Sequence, residues 1–236
     1  MKYAVILAGG IGKRMSSTVP KQFLLLGNEP IIIRTIRKVV ESNLFDSLVI
    51  AIHPEWKSYL ENLLEQSGVS GCPVLLTEGG KERLDSIRNT VAFIEETYDH
   101  CSAEDDVVIF DAVRPFVTRK IMEDSLDALQ HCQAVVAALP VVDTMLWIEE
   151  GSSYVTDMPR RQCLYHGQAP DSFKLVVLKE ALANLTPEEE KVITGTAQIC
   201  MLKGIPIHTI PGDPQNIKVT TPHDIRMADV LCEINE

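Results

Sequence analysis

Short apolar runs alternate along the chain with longer stretches in which apolar residues recur every three or four positions. The first run is Tyr3–Leu7, closed by Gly9-Gly10. A continuous apolar run of that length reads as a strand covered on both faces. Runs of the same kind follow at Ser47–Ile52, Val74–Thr77, Val107–Phe110 and Ala134–Leu139. Between them, Ile31–Ser42, Pro54–Gln66, Lys81–Tyr98 and Thr118–Gln130 carry helical spacing. Pro30 suits a helix start, Gly68 a helix stop and Thr118 an N-cap. This alternation predicts repeated βαβ units, and so an α/β fold with a doubly wound, mostly parallel sheet.

After Pro140 the pattern changes. Val141–Tyr165 is less periodic, with Gly151-Ser152-Ser153 as a turn between two β-prone pieces. Residues 140–165 therefore read as a protruding antiparallel β-arm. It is too short to bury itself, and it either packs on a partner subunit, giving a homodimer, or is an ordinary surface hairpin. Helical spacing returns at Phe173–Leu185 and Glu188–Lys203. Pro206–Ile210 and Ile217–Thr220 read as short strands. Thr221-Pro222-His223-Asp224 reads as a capping box, with proline in the first turn of a last helix. No internal repeat or low-complexity tract interrupts the chain, so residues 1–236 read as one domain.

Composition narrows the function. The 236 residues suffice for one α/β domain with a full core. A net charge of −11 argues against nucleic acid or an anionic membrane as partner. No apolar run reaches the length of a membrane span. Met1-Lys2-Tyr3 leads straight into a strand without a signal-peptide pattern. The cysteines, Cys72, Cys101, Cys132, Cys163, Cys200 and Cys232, lie far apart with no C-x-x-C. That spacing favours reduced thiols in a cytoplasm over a disulfide frame or a zinc site.

The strongest chemical signal is the stretch Leu7-Ala8-Gly9-Gly10-Ile11-Gly12-Lys13-Arg14-Met15, followed by Pro20-Lys21-Gln22. Glycines let the backbone turn and approach a ligand closely. Backbone N–H groups at a tight turn, with Lys13, Arg14 and Lys21 beside them, suit a polyphosphate. Two better-known phosphate loops are excluded. A P-loop needs Ser or Thr after Gly-Lys, where this chain has Arg14. A dinucleotide fingerprint needs G-x-G-x-x-G and an acid ending the second strand, where this chain has Gly9-Gly10-x-Gly12 and His53-Pro54.

Other candidates fall after predicted strands, where open parallel sheets bind ligands. Gly79-Gly80-Lys81-Glu82-Arg83, with Ser86 one turn on, follows the third strand. Gly80 and Ser86 are candidates for a nucleobase edge. Asp111-Ala112-Val113-Arg114-Pro115 follows the fourth strand. Asn216 and Lys218 lie between the last strands and the final helix. A carboxylate at the end of a strand, Asp111, suits Mg²⁺, which binds through one or two carboxylates plus substrate phosphates. Arg114 can pair with that carboxylate or with phosphate. The histidines are scattered and form no Ser/His/Asp pattern. A phosphate monoester attacking the α-phosphorus of a nucleotide triphosphate needs no general base, since its second pKa is about 6. Bringing two anions together needs cations, which the chain supplies.

The motif Leu-Ala-Gly-Gly-x-Gly-x-Arg-Met, then Pro-Lys-Gln-Phe, resembles the sugar- and polyol-phosphate nucleotidyltransferases. Within them the chain is similar to the cytidylyltransferases that act on 2-C-methyl-D-erythritol 4-phosphate and ribitol 5-phosphate. The resemblance extends over Gly79–Ser86, Asp111–Pro115, Asp143-Thr144, Arg161–Phe173 and Asn216–Thr220. It implies a Rossmann-like nucleotidyltransferase fold, CTP as co-substrate and Mg²⁺. It also implies a binding set for CTP of Leu7, Ala8, Gly9, Gly10, Gly12, Gly80, Arg83, Ser86, Asp111 and Ala112, with Asp111 serving the metal and ribose. By resemblance, Arg14 and Lys21 stabilise the pentavalent α-phosphate. Arg161 and Lys218 position the polyol phosphate, with Arg161 reaching from the arm into a partner's site. Arg114, Thr144 and Thr194 stand on the substrate side.

The departures bear on the acceptor. The methylerythritol enzymes carry Arg where this chain has Val142, and Thr-Pro-Gln where it has Ala169-Pro170-Asp171. Leu164-Tyr165-His166-Gly167-Gln168 is more similar to the ribitol enzymes. Both groups carry Asp where this chain has Gly195. The expectation is a cytidylyltransferase making CDP-ribitol, a precursor of teichoic acid or capsule. The alternative is the methylerythritol phosphate enzyme of isoprenoid biosynthesis.

Overall fold

The computed structural model describes residues 1–10, 19–98 and 101–235. Its strands are β1 (Lys2–Ala8), β2 (Leu25–Leu26), β3 (Glu29–Pro30), β4 (Ser47–Ile52), β5 (Val74–Glu78), β6 (Asp106–Asp111), β7 (Ala134–Pro140), β8 (Trp147–Ile148), β9 (Val155–Asp157), β10 (Tyr165–Lys174) and β11 (His208–Pro211). Its helices are α1 (Ile31–Val40), α2 (Lys57–Ser67), α3 (Arg83–Thr97), α4 (Arg119–Ala128), α5 (Leu175–Ala183), α6 (Pro187–Glu190), α7 (Thr196–Leu202) and α8 (Pro222–Asn235). Seven strands form the central sheet in the order β11-β7-β10-β6-β1-β4-β5. All neighbours pair parallel except β10, which runs antiparallel to both β6 and β7. The α/β fold with a mostly parallel, doubly wound sheet is the one expected.

The sheet is buried on both faces, which is why its strands read as unbroken apolar runs. Side chains alternate between the faces. Ala4, Ile6, Leu48, Ile50, Val108 and Phe110 meet α1, α2 and α4 on one side. Tyr3, Val5, Val49, Val107 and Ile109 meet α3, α5 and α7 on the other. Each fully buried branched or aromatic side chain contributes about 2 kcal/mol. Burial also explains α1, whose Ile31-Ile32-Ile33 and Val39-Val40 are indifferent helix formers; the tertiary contacts of those five buried side chains outweigh propensity.

Caps follow the expected chemistry. The Thr118 hydroxyl accepts from the Ile121 N–H at 3.3 Å. Thr221 and Asp224 form the reciprocal box at the start of α8, at 3.3 and 2.7 Å. Gly68 closes α2 in the left-handed conformation, φ 63°.

Four expectations need correction. Ile217–Thr220 is not a strand; side-chain bonds and one bond from the Val219 N–H to the Val113 carbonyl hold it instead. The helix expected at Phe173 begins at Leu175, because Phe173 and Lys174 still belong to β10. The single helix expected over Glu188–Lys203 is two short ones, interrupted before α7 by Gly195 in an extended conformation. The strand β10 itself was not expected. Residues 140 and 165 belong to the main sheet, and the arm between them carries the two-stranded ladder β8–β9 and a 3-10 turn at Arg161–Cys163.

Candidate active site

The loops after β1, β5 and β6, together with Lys218, close on one cavity of about 250 Å³ at the carboxyl ends of the parallel strands. Leu7, Ala8, Gly9 and Gly10 form one wall. Gly80, Arg83 and Ser86 form a second, Asp111 and Ala112 the floor, and Lys21 and Lys218 complete it. Gln22, Lys81, Glu82 and Val113 also line it, although sequence reasoning had not singled them out as site residues. Their signal was adjacency, since each lies within or beside a quoted motif. Gly12 and Arg14 lie outside the described residues, as does Lys13.

Two glycine loops touch here. A Cβ on Gly9 would stand 3.3 Å from the Ser86 hydroxyl, and one on Gly79 would stand 3.3 Å from the Gly9 Cα. Side chains at either position would push the β1 and β5 loops apart. Gly80 is tighter still, with Asp85 Cβ at 2.1 Å from its would-be Cβ. The Ser86 hydroxyl accepts from the Gly80 N–H at 3.0 Å and donates to the Glu82 carbonyl at 3.2 Å. Its first role is thus to fasten the loop, rather than to offer a free hydroxyl to a base. The first loop is tied in turn, as the Gln22 side-chain amide donates to the Ala8 carbonyl at 2.8 Å. Lys21 rides on the same short 3-10 turn, whose Phe23 packs on Trp56 and Tyr59.

Asp111 is the electrostatic centre. Arg83 Nη1 lies 2.8 Å from Oδ1, while Lys218 Nζ and Arg114 Nε lie 3.0 and 3.3 Å from Oδ2. Burial pushes this carboxyl up, but Arg83, then Lys218 and Arg114, outweigh it and hold the group well below the usual carboxylate range. Arg114 is itself buried, and its Nη1 donates to the Asn216 carbonyl at 2.6 Å. It therefore reads as a brace for Asp111 more than as a free phosphate ligand. Burial lowers its pKa, with Asp111 acting against that.

A second carboxylate, Asp171 on β10, stands near this cluster. Burial and then the neighbouring Asp111 raise its pKa, while Arg83, Thr196 and Arg114 oppose the rise. The Arg83 Nη2 donates to the Thr196 hydroxyl at 3.2 Å, which links the start of α7 to the site. Asp171 was missed as a neighbour of Asp111 because β10 had not been read as a strand, and Thr196 because it joins the site only through Arg83.

Four of the described candidates, Arg114, Arg161, Thr144 and Thr194, do not line this cavity. Arg161 lies near the end of the arm and donates from Nη1 to the Val142 carbonyl at 3.0 Å. Thr144 is exposed on the arm. Thr194 lines a neighbouring space of about 730 Å³, which also takes in Arg83 and Gly195, and its hydroxyl bonds Gln198 at 3.3 Å.

The site can hold a polyanion against clustered cations at the rim of a sheet. Among the described residues, no group of three or more His, Cys, Asp or Glu side chains could hold a metal alone. Both Asp111 oxygens are paired with Arg83, Lys218 and Arg114, so this lone strand-end carboxylate fits a magnesium ion only where the ion arrives with substrate phosphates that draw those cations away, and it does not fit an ion caged by protein.

The family model described as 2-C-methyl-D-erythritol 4-phosphate cytidylyltransferase (IspD) matches residues 2–233. Solved structures similar to this chain carry the same chemistry in their names. A 4-diphosphocytidyl-2C-methyl-D-erythritol synthase from Anaerococcus prevotii is 21% identical, with TM-score 0.81, covering 98% of each chain. The 2-C-methyl-D-erythritol 4-phosphate cytidylyltransferase of Francisella tularensis is 25% identical, with TM-score 0.79, covering 97% of this chain and 98% of that one. That of Thermus thermophilus is 24% identical, with TM-score 0.73, covering 99% and 100%.

Proposed function

The chain belongs to the IspD family of cytidylyltransferases, which matches it over residues 2–233, and from that premise we propose that it transfers CMP from CTP to 2-C-methyl-D-erythritol 4-phosphate. A phosphate-monoester oxygen of the acceptor attacks the α-phosphorus of CTP. The bond from that phosphorus to the β-phosphate's bridging oxygen breaks, and pyrophosphate leaves with the electron pair. The acceptor oxygen is already ionised near neutral pH, with its pKa about 6, so no protein base is required. What the reaction requires is positive charge held in place while anions meet.

The observation that carries this reading is the meeting of Lys21, Arg83 and Lys218 around one small cavity with glycine-rich walls. In the proposal, Leu7 to Gly10, Gly12, Gly80, Arg83, Ser86 and Ala112 hold CTP. Arg14 and Lys21 face its α-phosphate. Lys218 and Arg161 receive the acceptor phosphate, with Arg114, Thr144 and Thr194 on the same side. Asp111 is the carboxylate for the ribose and for Mg²⁺. When bound, the metal neutralises phosphate charge and orients the triphosphate.

The names of the matching family and structures favour methylerythritol phosphate as acceptor. A second reading, ribitol 5-phosphate, is kept because of Val142, Ala169 and Asp171 and the ribitol-like run Leu164-Tyr165-His166-Gly167-Gln168. Val142, Ala169 and Asp171 depart from the methylerythritol pattern where the acceptor's carbon chain would lie. Pyrophosphate release from CTP, assayed with each purified polyol phosphate, separates the two. A kcat/KM at least tenfold higher with methylerythritol phosphate supports the first reading; the reverse preference overturns it.

A homodimer is part of the proposal. Residues 142–165 expose Val142, Met145, Leu146, Trp147, Ile148, Tyr154, Val155, Met158 and Tyr165, with Tyr154 at 82% and Val142 at 76% exposure. An apolar ribbon of this extent is covered by a partner in a stable protein. A second copy would cover it and bring Arg161 to the neighbouring site. Among the described residues no helix is long and apolar enough to cross a membrane. The described cysteines are free thiols, in keeping with a reducing cytoplasm.

A further inference from the structure

Lys218 sits on a stretch with no regular secondary structure, yet its ammonium is 3.0 Å from Asp111 Oδ2. A loop cation holds such a position only if its backbone is fixed by other bonds. We propose that Gln168, outside the cavity, is the positioning residue that fixes Lys218 for the transfer step, acting with Asn216; this rests on the cytidylyltransferase reading above.

Gln168 lies on β10 and is 8% exposed. The β10–β7 register shifts between Gln168 and Asp171, which interrupts the ladder next to the side chain. Both ends of the Gln168 amide are engaged with the loop. Its Oε1 accepts from the Asp213 N–H at 3.0 Å, and its Nε2 donates to the Asp213 carbonyl at 2.9 Å and the Asn216 carbonyl at 3.4 Å. The fit leaves no room for a side chain opposite, since a Cβ on Gly212 would stand 2.5 Å from Gln168 Oε1.

Asn216, 0% exposed, returns a bond to β10 by donating to the Ala169 carbonyl at 2.8 Å. Its own carbonyl takes the Arg114 guanidinium at 2.6 Å, and Arg114 braces Asp111. On the far side of Lys218, the Val219 N–H donates to the Val113 carbonyl at 2.9 Å. Lys218 is thus suspended between two anchored points, and the upstream one depends on Gln168. Neither Gln168 nor Asn216 lines the cavity, so neither touches the reacting atoms. An amide that pairs with three backbone groups at once has no equivalent in an apolar side chain.

The test is Gln168→Met, of similar length, compared with wild type, Lys218→Ala and the double variant. Melting is recorded first, and assays run at least 15 °C below the lower transition (about the margin that keeps a variant folded). The expected result is a fall in kcat of about 100-fold with the KM for CTP changed less than threefold. The same substitution should add almost nothing in the Lys218→Ala background, because one residue acts through the other. Hydrogen exchange of the 216–219 amides, which does not depend on turnover, should accelerate at least tenfold in Gln168→Met. Unchanged exchange overturns the proposal whatever the activity. So does a full, additive loss in the double variant, which would mark a general structural role. If wild type itself releases no pyrophosphate with either polyol phosphate, the functional reading fails, while the exchange result still decides whether Gln168 holds Lys218.

Discussion

In the proposed reaction, single side chains in this site divide into those that would meet phosphate and those that hold the meeting place together. Lys21 is proposed for the first kind. It lines the cavity on a turn whose packing comes from Phe23, Trp56 and Tyr59. Lys21→Ala should therefore lower kcat by about 100-fold or more, as removal of a transition-state charge partner does. Its melting temperature should stay within about 3 °C of wild type. Parallel losses in turnover and melting would contradict that division. The two carboxylates behave oppositely with pH. The folded-state pKa of Asp111 is depressed, so its contribution to stability is present above the unfolded value of about 3.9 and is lost as pH falls through the folded value. Asp111→Asn should cost about 2 kcal/mol near pH 7, less than a fully buried pair, because Lys218 and Arg83 are partly solvated. The folded-state pKa of Asp171 is raised, so its ionised form costs stability above the unfolded value. Asp171→Asn should raise the melting temperature at pH 7, and the gain should shrink as pH falls through the raised folded value and vanish by the unfolded value of about 4. Melting curves between pH 3 and 7, taken on both variants, check the two signs; changes of the same sign in both would refute the assignment.

At the scale of elements, the arm carries the clearest consequence. If Arg161 serves the neighbouring subunit, Lys21→Ala and Arg161→Ala chains should complement one another. An equal mixture, unfolded and refolded together, should recover about a quarter of wild-type activity, since half the dimers are mixed and each mixed dimer has one complete site. No recovery would mean that Arg161 acts within its own chain or not at all. The strands of the sheet were legible because burial on both faces writes them as continuous apolar runs. Ser47–Ile52 matches its expected bounds, and Tyr3–Leu7 differs by one residue at each end. The strand β10 was hidden for an equally physical reason. Gly167 and Pro170 argue against a central strand, and His166 and Asp171 break the apolar pattern. The register shift between Gln168 and Asp171 is what lets Pro170 stand there. The Ile217–Thr220 run misled in the opposite direction: Ile217 and Val219 are β-prone, but they face the small cluster under α8 rather than a strand partner.

For the molecule as a whole, function comes from where distant segments end. β1, β5 and β6 stop at one rim, and antiparallel β10 enters between β6 and β7 to carry Gln168 and Asp171 toward the same place. The glycine loop, Asp111 and Lys218 could be picked out as candidates from sequence, because glycines, cations and a strand-end carboxylate follow predicted strands, and the structure brings Gly9, Gly10, Asp111 and Lys218 to one cavity. What sequence alone left out was the bracing, namely Arg114 on Asn216, Thr196 on Arg83 and Gln168 on Asp213. Such bonds join residues dozens of positions apart and leave no local signature. The most direct test of the account is a crystal structure with a non-hydrolysable CTP analogue and Mg²⁺. The account predicts the triphosphate in the cavity between the Gly9-Gly10 loop and Asp111, with its α-phosphate within about 3 Å of the Lys21 ammonium. A triphosphate bound anywhere else, or bound there with Lys21 and Lys218 both turned away, would contradict it.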